Sequence, residues 1–92
     1  MIVRIATEAQ YRLPDGDVDR LNDLDNQAVE AVDAGDESRF QQLFEQMLTL
    51  VRTDGQRVAD DELVESDVIL PPPDVTFAEA ASEFTGEGLI PD

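Results

Sequence analysis

The stretch DGDVDRLNDLDNQAVEAVDAGDESRFQQLFEQMLTLVRTDG, residues 15–55, decides the fold, because apolar residues recur in it at helical spacing on both sides of Gly35. Before this glycine the apolar positions are Val18, Leu21, Leu24, Ala28, Ala31 and Val32. After it, Asp36 is a suitable N-cap. The strongest apolar stripe of the chain follows: Phe40, Leu43, Phe44, Met47, Leu48, Leu50 and Val51. The very short link predicts an antiparallel helical hairpin.

The residues before this hairpin predict an extended segment. Between residues 1 and 13 one face of a strand would carry Val3, Ile5, Thr7, Ala9, Tyr11 and Leu13. The run is long for a single strand, so we expect a bend or bulge near residues 7–9. The paired helices should cover the mostly apolar face of this strand.

The residues after the hairpin are less regular. Any flexible part of the chain should lie in residues 56–62. Val68, Ile69 and Leu70 predict a short strand beside the first one, and the prolines at residues 71–73 end it. The sequence therefore favours a second, short strand placed against the N-terminal one.

A short helix is predicted after the prolines, because Thr76 and Glu79 have the spacing of a capping box. Gly86 and Gly88 should end this helix, and the apolar tail at residues 89–91 should pack back onto the core. The predicted fold class is α+β, in one domain over residues 1–92. Its order is an N-terminal strand, an antiparallel helical hairpin, a short second strand and a short C-terminal helix.

The composition argues against catalysis. The chain has no histidine and no cysteine, so the commonest general base and the thiol nucleophile are missing. The densest group of carboxylates lies at residues 60–67, and we interpret it as an exposed acidic loop rather than a divalent-cation site. We expect no enzyme activity, no cofactor and no metal.

The charge balance is extreme, with 22 acidic residues against six basic ones and a formal net charge of -16. All six basic residues are arginines. Such a surface repels nucleic acid and anionic lipid, so we expect direct binding to neither. Acidic, lysine-free chains are typical of salt-rich, halophilic cytoplasms. This interpretation predicts that the circular-dichroism signal of the fold strengthens as potassium chloride rises to molar concentration.

Neither a membrane span nor a signal peptide is indicated by the sequence. No run reaches the roughly 18 apolar residues that cross a bilayer. Arg4, Glu8 and Arg12 interrupt the apolar residues of the N-terminus. We expect a cytoplasmic protein.

The segments MIVRIATEAQYRLPD (residues 1–15), LVESDVILPPP (residues 63–73) and EGLIP (residues 87–91) together resemble the PspA-associated protein family, PspAA. The resemblance extends over essentially the whole chain. It implies an accessory or regulatory protein of a PspA-type membrane-stress response, in which PspA is the phage-shock protein of the ESCRT-III-like class. The implied partner is a PspA-family coiled-coil protein, which would recruit the chain to the inner face of the membrane. The resemblance brings no catalytic residues.

Two regions are candidates for contact with a partner. The apolar stripe of the second helix is foremost a core element, and a strip left uncovered would seek an amphipathic helix. The segment around residues 63–73 is the other candidate. The candidate contact residues are Phe40, Phe44, Met47, Leu63, Val64, Asp67 and Pro72.

Three alternatives stay open at this point. The first alternative is an acidic DNA mimic or inhibitor that binds a basic site on another protein. The second is a homodimer formed through the helical hairpin. The least favoured alternative is a metal-dependent enzyme that uses the carboxylates at residues 60–67. Clustering of the acidic side chains in the structure would favour the DNA mimic.

Overall fold

The computed structural model describes residues 1–84, which fold as the predicted α+β class. The elements in chain order are β1 (Ile2–Ile5), β2 (Ala9–Arg12), α1 (Asp15–Asp33), α2 (Glu37–Asp54), β3 (Gln56–Arg57), β4 (Val68–Leu70) and α3 (Phe77–Glu83). The four strands form one sheet in the order β3-β2-β1-β4. Residues 85–92, where we expected a glycine stop and a docking tail, lie outside the described residues.

The N-terminal run is a β-hairpin and not one bent strand. Ile5 pairs with Ala9, and the Glu8 amide donates to the Ile5 carbonyl at 3.0 Å, so residues 6–8 form a tight turn. Thr7 in this turn has a left-handed backbone, with φ 65°. The reversal of the chain was not visible in the sequence, because a turn of three residues pairs odd-numbered residues of β1 with odd-numbered residues of β2. These partners, Val3 with Tyr11 and Ile5 with Ala9, share one face of the sheet. The period of two therefore runs unbroken through the turn.

The central strand of the sheet is β1. It pairs antiparallel with β2 and parallel with β4, in the register Val3 to Val68 and Ile5 to Leu70. The predicted pairing of the second strand with the first is confirmed. Gln56 and Arg57, at the start of the segment expected to hold any flexible part, form β3 and pair with the outer edge of β2.

The helical hairpin forms as predicted. The Asp36 side chain accepts a hydrogen bond from the Arg39 amide at 3.1 Å and caps α2. Gly35, with φ 69°, takes the left-handed conformation that ends α1. Only three residues therefore separate the two helices, which forces them to lie antiparallel.

The core lies between the helices and one face of the sheet. Among its largest fully buried side chains are Val3, Ile5, Leu21, Phe40, Met47, Val51, Leu70 and Phe84. Aromatic contacts hold the end of α3 against α2. The ring centroid of Phe84, the residue after α3, lies 5.1 Å from that of Phe40 and 6.2 Å from that of Phe44. The Thr76 hydroxyl accepts from the Glu79 amide at 3.2 Å, which confirms the predicted cap of α3.

Candidate interaction surface

Within residues 1–84 the helices cover one face of the sheet and leave the other face without a helix. Ile2, Arg4, Gln10, Arg12 and Ile69 alternate with core residues along β1, β2 and β4, so their side chains project from the opposite face. We call this side the open face. Arg4, Arg12 and Ile69 are exposed, and Ile2 and Gln10 are half-buried.

Residues 59–67, the crossing segment, run over the open face. They connect β3 to β4, which are the two opposite edges of the sheet, so the chain must pass over β2 and β1. Contacts from Gln10 place this passage on the open face. The Gln10 amide nitrogen donates to the Val64 carbonyl at 3.0 Å and to the Ser66 hydroxyl at 2.8 Å.

Both ends of the crossing segment are held by the sheet. Near its start, the Arg12 guanidinium lies 2.6 Å from the Glu62 carboxylate. At its end, Asp67 donates its amide to the Ile2 carbonyl and accepts the Ile2 amide on its carboxylate, both at 2.8 Å. The segment is therefore anchored on either side of Leu63 and Val64.

The large hydrophobic side chains that stay exposed within residues 1–84 belong to this side of the molecule. Leu63 in the crossing segment is 96 % exposed, and Ile69 on β4 is 57 % exposed. Val64 is half-buried and Asp67 is exposed. The structure thus brings the predicted contact residues Leu63, Val64 and Asp67 together on one surface.

The other predicted contact residues lie elsewhere. Phe40, Phe44 and Met47 are at most 5 % exposed and belong to the core, the first of the two roles that the sequence offered for this stripe. Phe40 and Phe44 also line a cavity of about 250 Å³ beside Pro73. Pro72 is half-buried, and its carbonyl accepts from the Val75 amide at 3.0 Å.

A groove of about 600 Å³ runs along the outer side of the helical hairpin. Its walls combine Leu24 and Arg20 of α1 with polar residues of α2, among them Gln42, Gln46 and Thr49. Leu24 is the apolar side chain that α1 contributes to it. Leu50 of α2 adds a second apolar side chain, so apolar atoms make up more of the groove's surface than polar atoms do.

The carboxylates are unevenly distributed between the two helices. Seven of the 19 residues of α1 are acidic, against three of the 18 residues of α2. On α1, Asp19, Asp23 and Glu30 are exposed. The negative charge is therefore concentrated on the first helix of the hairpin.

Glu8, Tyr11 and Arg52 join the turn of the β-hairpin to α2. The Arg52 guanidinium donates two hydrogen bonds to the Glu8 carboxylate, one of them at 2.9 Å, and the Tyr11 hydroxyl donates to the same carboxylate at 3.0 Å. The hydrogen bond from Arg52 lowers the pKa of Glu8, and the carboxylate in turn raises the pKa of Arg52. Partial burial, and then the bond to Glu8, raises the pKa of Tyr11. We interpret this group as a structural clamp, because it joins two elements of the fold.

Asp25 is a residue that the sequence analysis missed. It is fully buried, and each buried polar side-chain atom within residues 1–84 has a hydrogen-bond partner. The signal was available, since Asp25 follows Leu21 by four residues and precedes Ala28 by three, on the apolar face of α1. A carboxylate at such a position indicates a buried polar interaction rather than a solvated face.

Within the described part of the chain, no group of three or more acidic side chains is arranged to hold a metal ion. The acidic side chains at residues 60–67 are all exposed.

None of the helices in residues 1–84 combines the length and the apolar character that crossing a membrane requires.

These features define a small α+β domain in which a helical hairpin covers one face of a four-stranded sheet and an anchored segment crosses the other face. The model of the PspA-associated protein family matches residues 1–92, the whole chain. The chain belongs to this family, PspAA, as the sequence segments indicated. No curated protein and no solved structure matches it.

Proposed function

We propose that this chain is a cytoplasmic accessory or regulatory protein of a PspA-type membrane-stress response. It acts by binding a PspA-family coiled-coil protein, through which it reaches the inner face of the membrane, and it performs no catalysis. The observation that carries the proposal is the family match over residues 1–92. The lack of histidine and cysteine supports a binding role.

The contact surface in this proposal is the crossing segment. Leu63 is 96 % exposed, yet the chain around it is held by Arg12 and Gln10. An apolar side chain presented from an anchored backbone loses little conformational freedom on binding, which favours a specific contact. An exposed leucine also gains from burial, because its apolar area leaves water.

Isothermal titration calorimetry with the purified PspA-family protein of the same genome tests this function. We expect saturable binding in 0.1 M or in molar potassium chloride. Leu63→Asp should weaken binding at least tenfold, because a carboxylate at a buried contact loses its hydration. Asn26→Asp is the matched control: it adds the same charge at an exposed position of α1 and should leave the affinity within twofold.

Absence of binding at both salt concentrations would refute the proposed function. The mass of the free protein in solution, measured by light scattering, tests the homodimer alternative in the same samples. If the wild type is a dimer and the groove variant Gln46→Glu is a monomer, the result supports self-association through the helical hairpin.

The acidic inhibitor or DNA mimic is the second candidate, and the concentration of carboxylates on α1 favours it. Such a protein binds a basic site on its target through charge. The double variant Asp19→Asn, Asp23→Asn should therefore abolish binding to that target, whereas Leu63→Asp should leave it intact. The opposite result supports the contact at the crossing segment. The two functions are thus separated by which surface the variants affect.

A further inference from the structure

Arg4 is an exposed arginine on a protein rich in carboxylates. Arg12, Arg20, Arg52 and Arg57 each lie within 4.0 Å of an acidic side chain. Arg4 makes no such pair with any residue of 1–84. Arg39 also makes no ion pair within residues 1–84, so what distinguishes Arg4 is its surroundings.

The position of Arg4 distinguishes it from a merely solvated arginine. It is directly opposite Ile69 on β4 and Gln10 on β2, in the middle of the open face. Ile2 precedes it by two residues on the same strand and face. Its neighbours across and along the sheet are therefore two isoleucines and an amide, of which Ile69 is 57 % exposed.

Such a combination has a specific chemical complement. A guanidinium binds a carboxylate with two parallel hydrogen bonds, and it does so best where apolar neighbours exclude water. The exposed Ile69 and the half-buried Ile2 beside the cation would contact apolar side chains that flank the carboxylate. The complement is an Asp or Glu with apolar neighbours, as on an acidic amphipathic helix.

We propose that Arg4, Ile2 and Ile69 form a docking site for an acidic amphipathic helix of the partner, with Arg4 receiving a carboxylate. This inference rests on the proposed function, since the helix belongs to the PspA-family protein. It adds the residue at the centre of the contact and the charge of the segment that docks there.

The proposal has an unusual consequence for salt dependence. At low salt the net charge of -16 repels an acidic partner, whereas the contact at Arg4 is local. Salt screens the long-range repulsion over about 3 Å at 1 M and leaves close, partly buried contacts less affected. Binding should therefore tighten from 0.1 to 1 M potassium chloride, while a basic partner helix would bind more weakly as salt rises.

The test is calorimetric titration of the purified PspA-family protein with the wild type and three variants. Arg4→Gln should raise the Kd at least tenfold, and Arg4→Lys, which keeps the charge but loses the bidentate geometry, should have an intermediate effect. Arg39→Gln is the matched control, because Arg39 is also exposed and without an ion pair within residues 1–84, but lies in the first turn of α2. Its Kd should stay within twofold of the wild type. Circular-dichroism melts in the same buffer verify that each variant is folded.

The outcomes separate this inference from the proposed function. If the wild type binds and Arg4→Gln binds equally well, the docking site is refuted and the proposed function stands. Binding that weakens as salt rises also refutes it, because the partner segment is then basic. A wild type that fails to bind at any salt concentration refutes the proposed function, and the docking site with it.

Discussion

Replacement of Gly55 by alanine tests the packing at the junction of α2 and the sheet. Gly55 follows the last residue of α2, and its amide donates to the Val51 carbonyl at 2.9 Å. A Cβ atom at this position would overlap with the Val51 carbonyl oxygen and would lie 3.0 Å from the Cβ of Tyr11. Real Cβ contacts essentially never fall below 3.0 Å, and the atom in the way belongs to the backbone. The end of α2 or strand β2 must therefore move.

The size of the effect follows from this overlap. Forcing a methyl group into a packed region costs about 1–3 kcal/mol of unfolding free energy. In a domain of this size each kcal/mol corresponds to a change in Tm of roughly 4–8 °C. Gly55→Ala should consequently lower the Tm by at least several degrees.

Gly16→Ala is the matched control for this experiment. Gly16 lies in the first turn of α1, and a Cβ there would meet no atom within 4 Å. Alanine should stabilise the helix by about 0.5–1 kcal/mol, because glycine loses more backbone entropy on folding. Both variants are compared by urea and thermal unfolding, followed by circular dichroism in molar potassium chloride. If Gly55→Ala unfolds at the same or a higher temperature than the wild type, the steric reasoning is refuted.

Three further predictions concern the turn, the clamp and the buried carboxylate. Thr7→Asn should stabilise the protein by about 0.5–1 kcal/mol in urea unfolding, because asparagine tolerates the left-handed backbone of this turn better than a β-branched residue; a loss of stability would contradict the assigned turn. Since Arg52 holds the folded-state pKa of Glu8 below the ordinary 4.5, the stability from this pair is present above that pH and is lost as the pH falls through the lowered value. Arg52→Ala should therefore reduce the dependence of Tm on pH below about 4.5, and a Tm profile parallel to the wild type would exclude the clamp as its source. Asp25→Ala should destabilise the fold by about 1–3 kcal/mol through the loss of a satisfied buried group, and equal urea midpoints would show that this carboxylate contributes nothing.

The helical hairpin was predictable because its signals are local. The apolar spacing of α1 and α2, the cap at Asp36 and the stop at Gly35 each specify a conformation within a few residues. The β-hairpin was not predictable from the same kind of pattern. A turn of three residues leaves the alternation of faces intact, and Thr7 is an improbable residue at a left-handed position.

The candidate surface depends on the sheet order, which no local pattern contains. The sequence indicated residues 63–73, with Leu63 among them, as a region of contact with a partner. It contains no signal that residues 59–67 cross the sheet. That path exists because β3 and β4 lie at opposite edges. The same order places Ile69 beside Arg4, 65 residues away along the chain. The surface therefore emerges only when distant strands pair.

The central place of β1 has a consequence for synthesis of the chain. The strand precedes the other three strands of the sheet along the chain, and its second edge meets β4 only after residue 70 has left the ribosome. Until then, the backbone groups of this edge are unpaired and are a template for pairing with a neighbouring nascent chain. By that time α1 has already been synthesised, with its seven acidic residues. Because like charges repel, these carboxylates disfavour pairing between two unfinished chains.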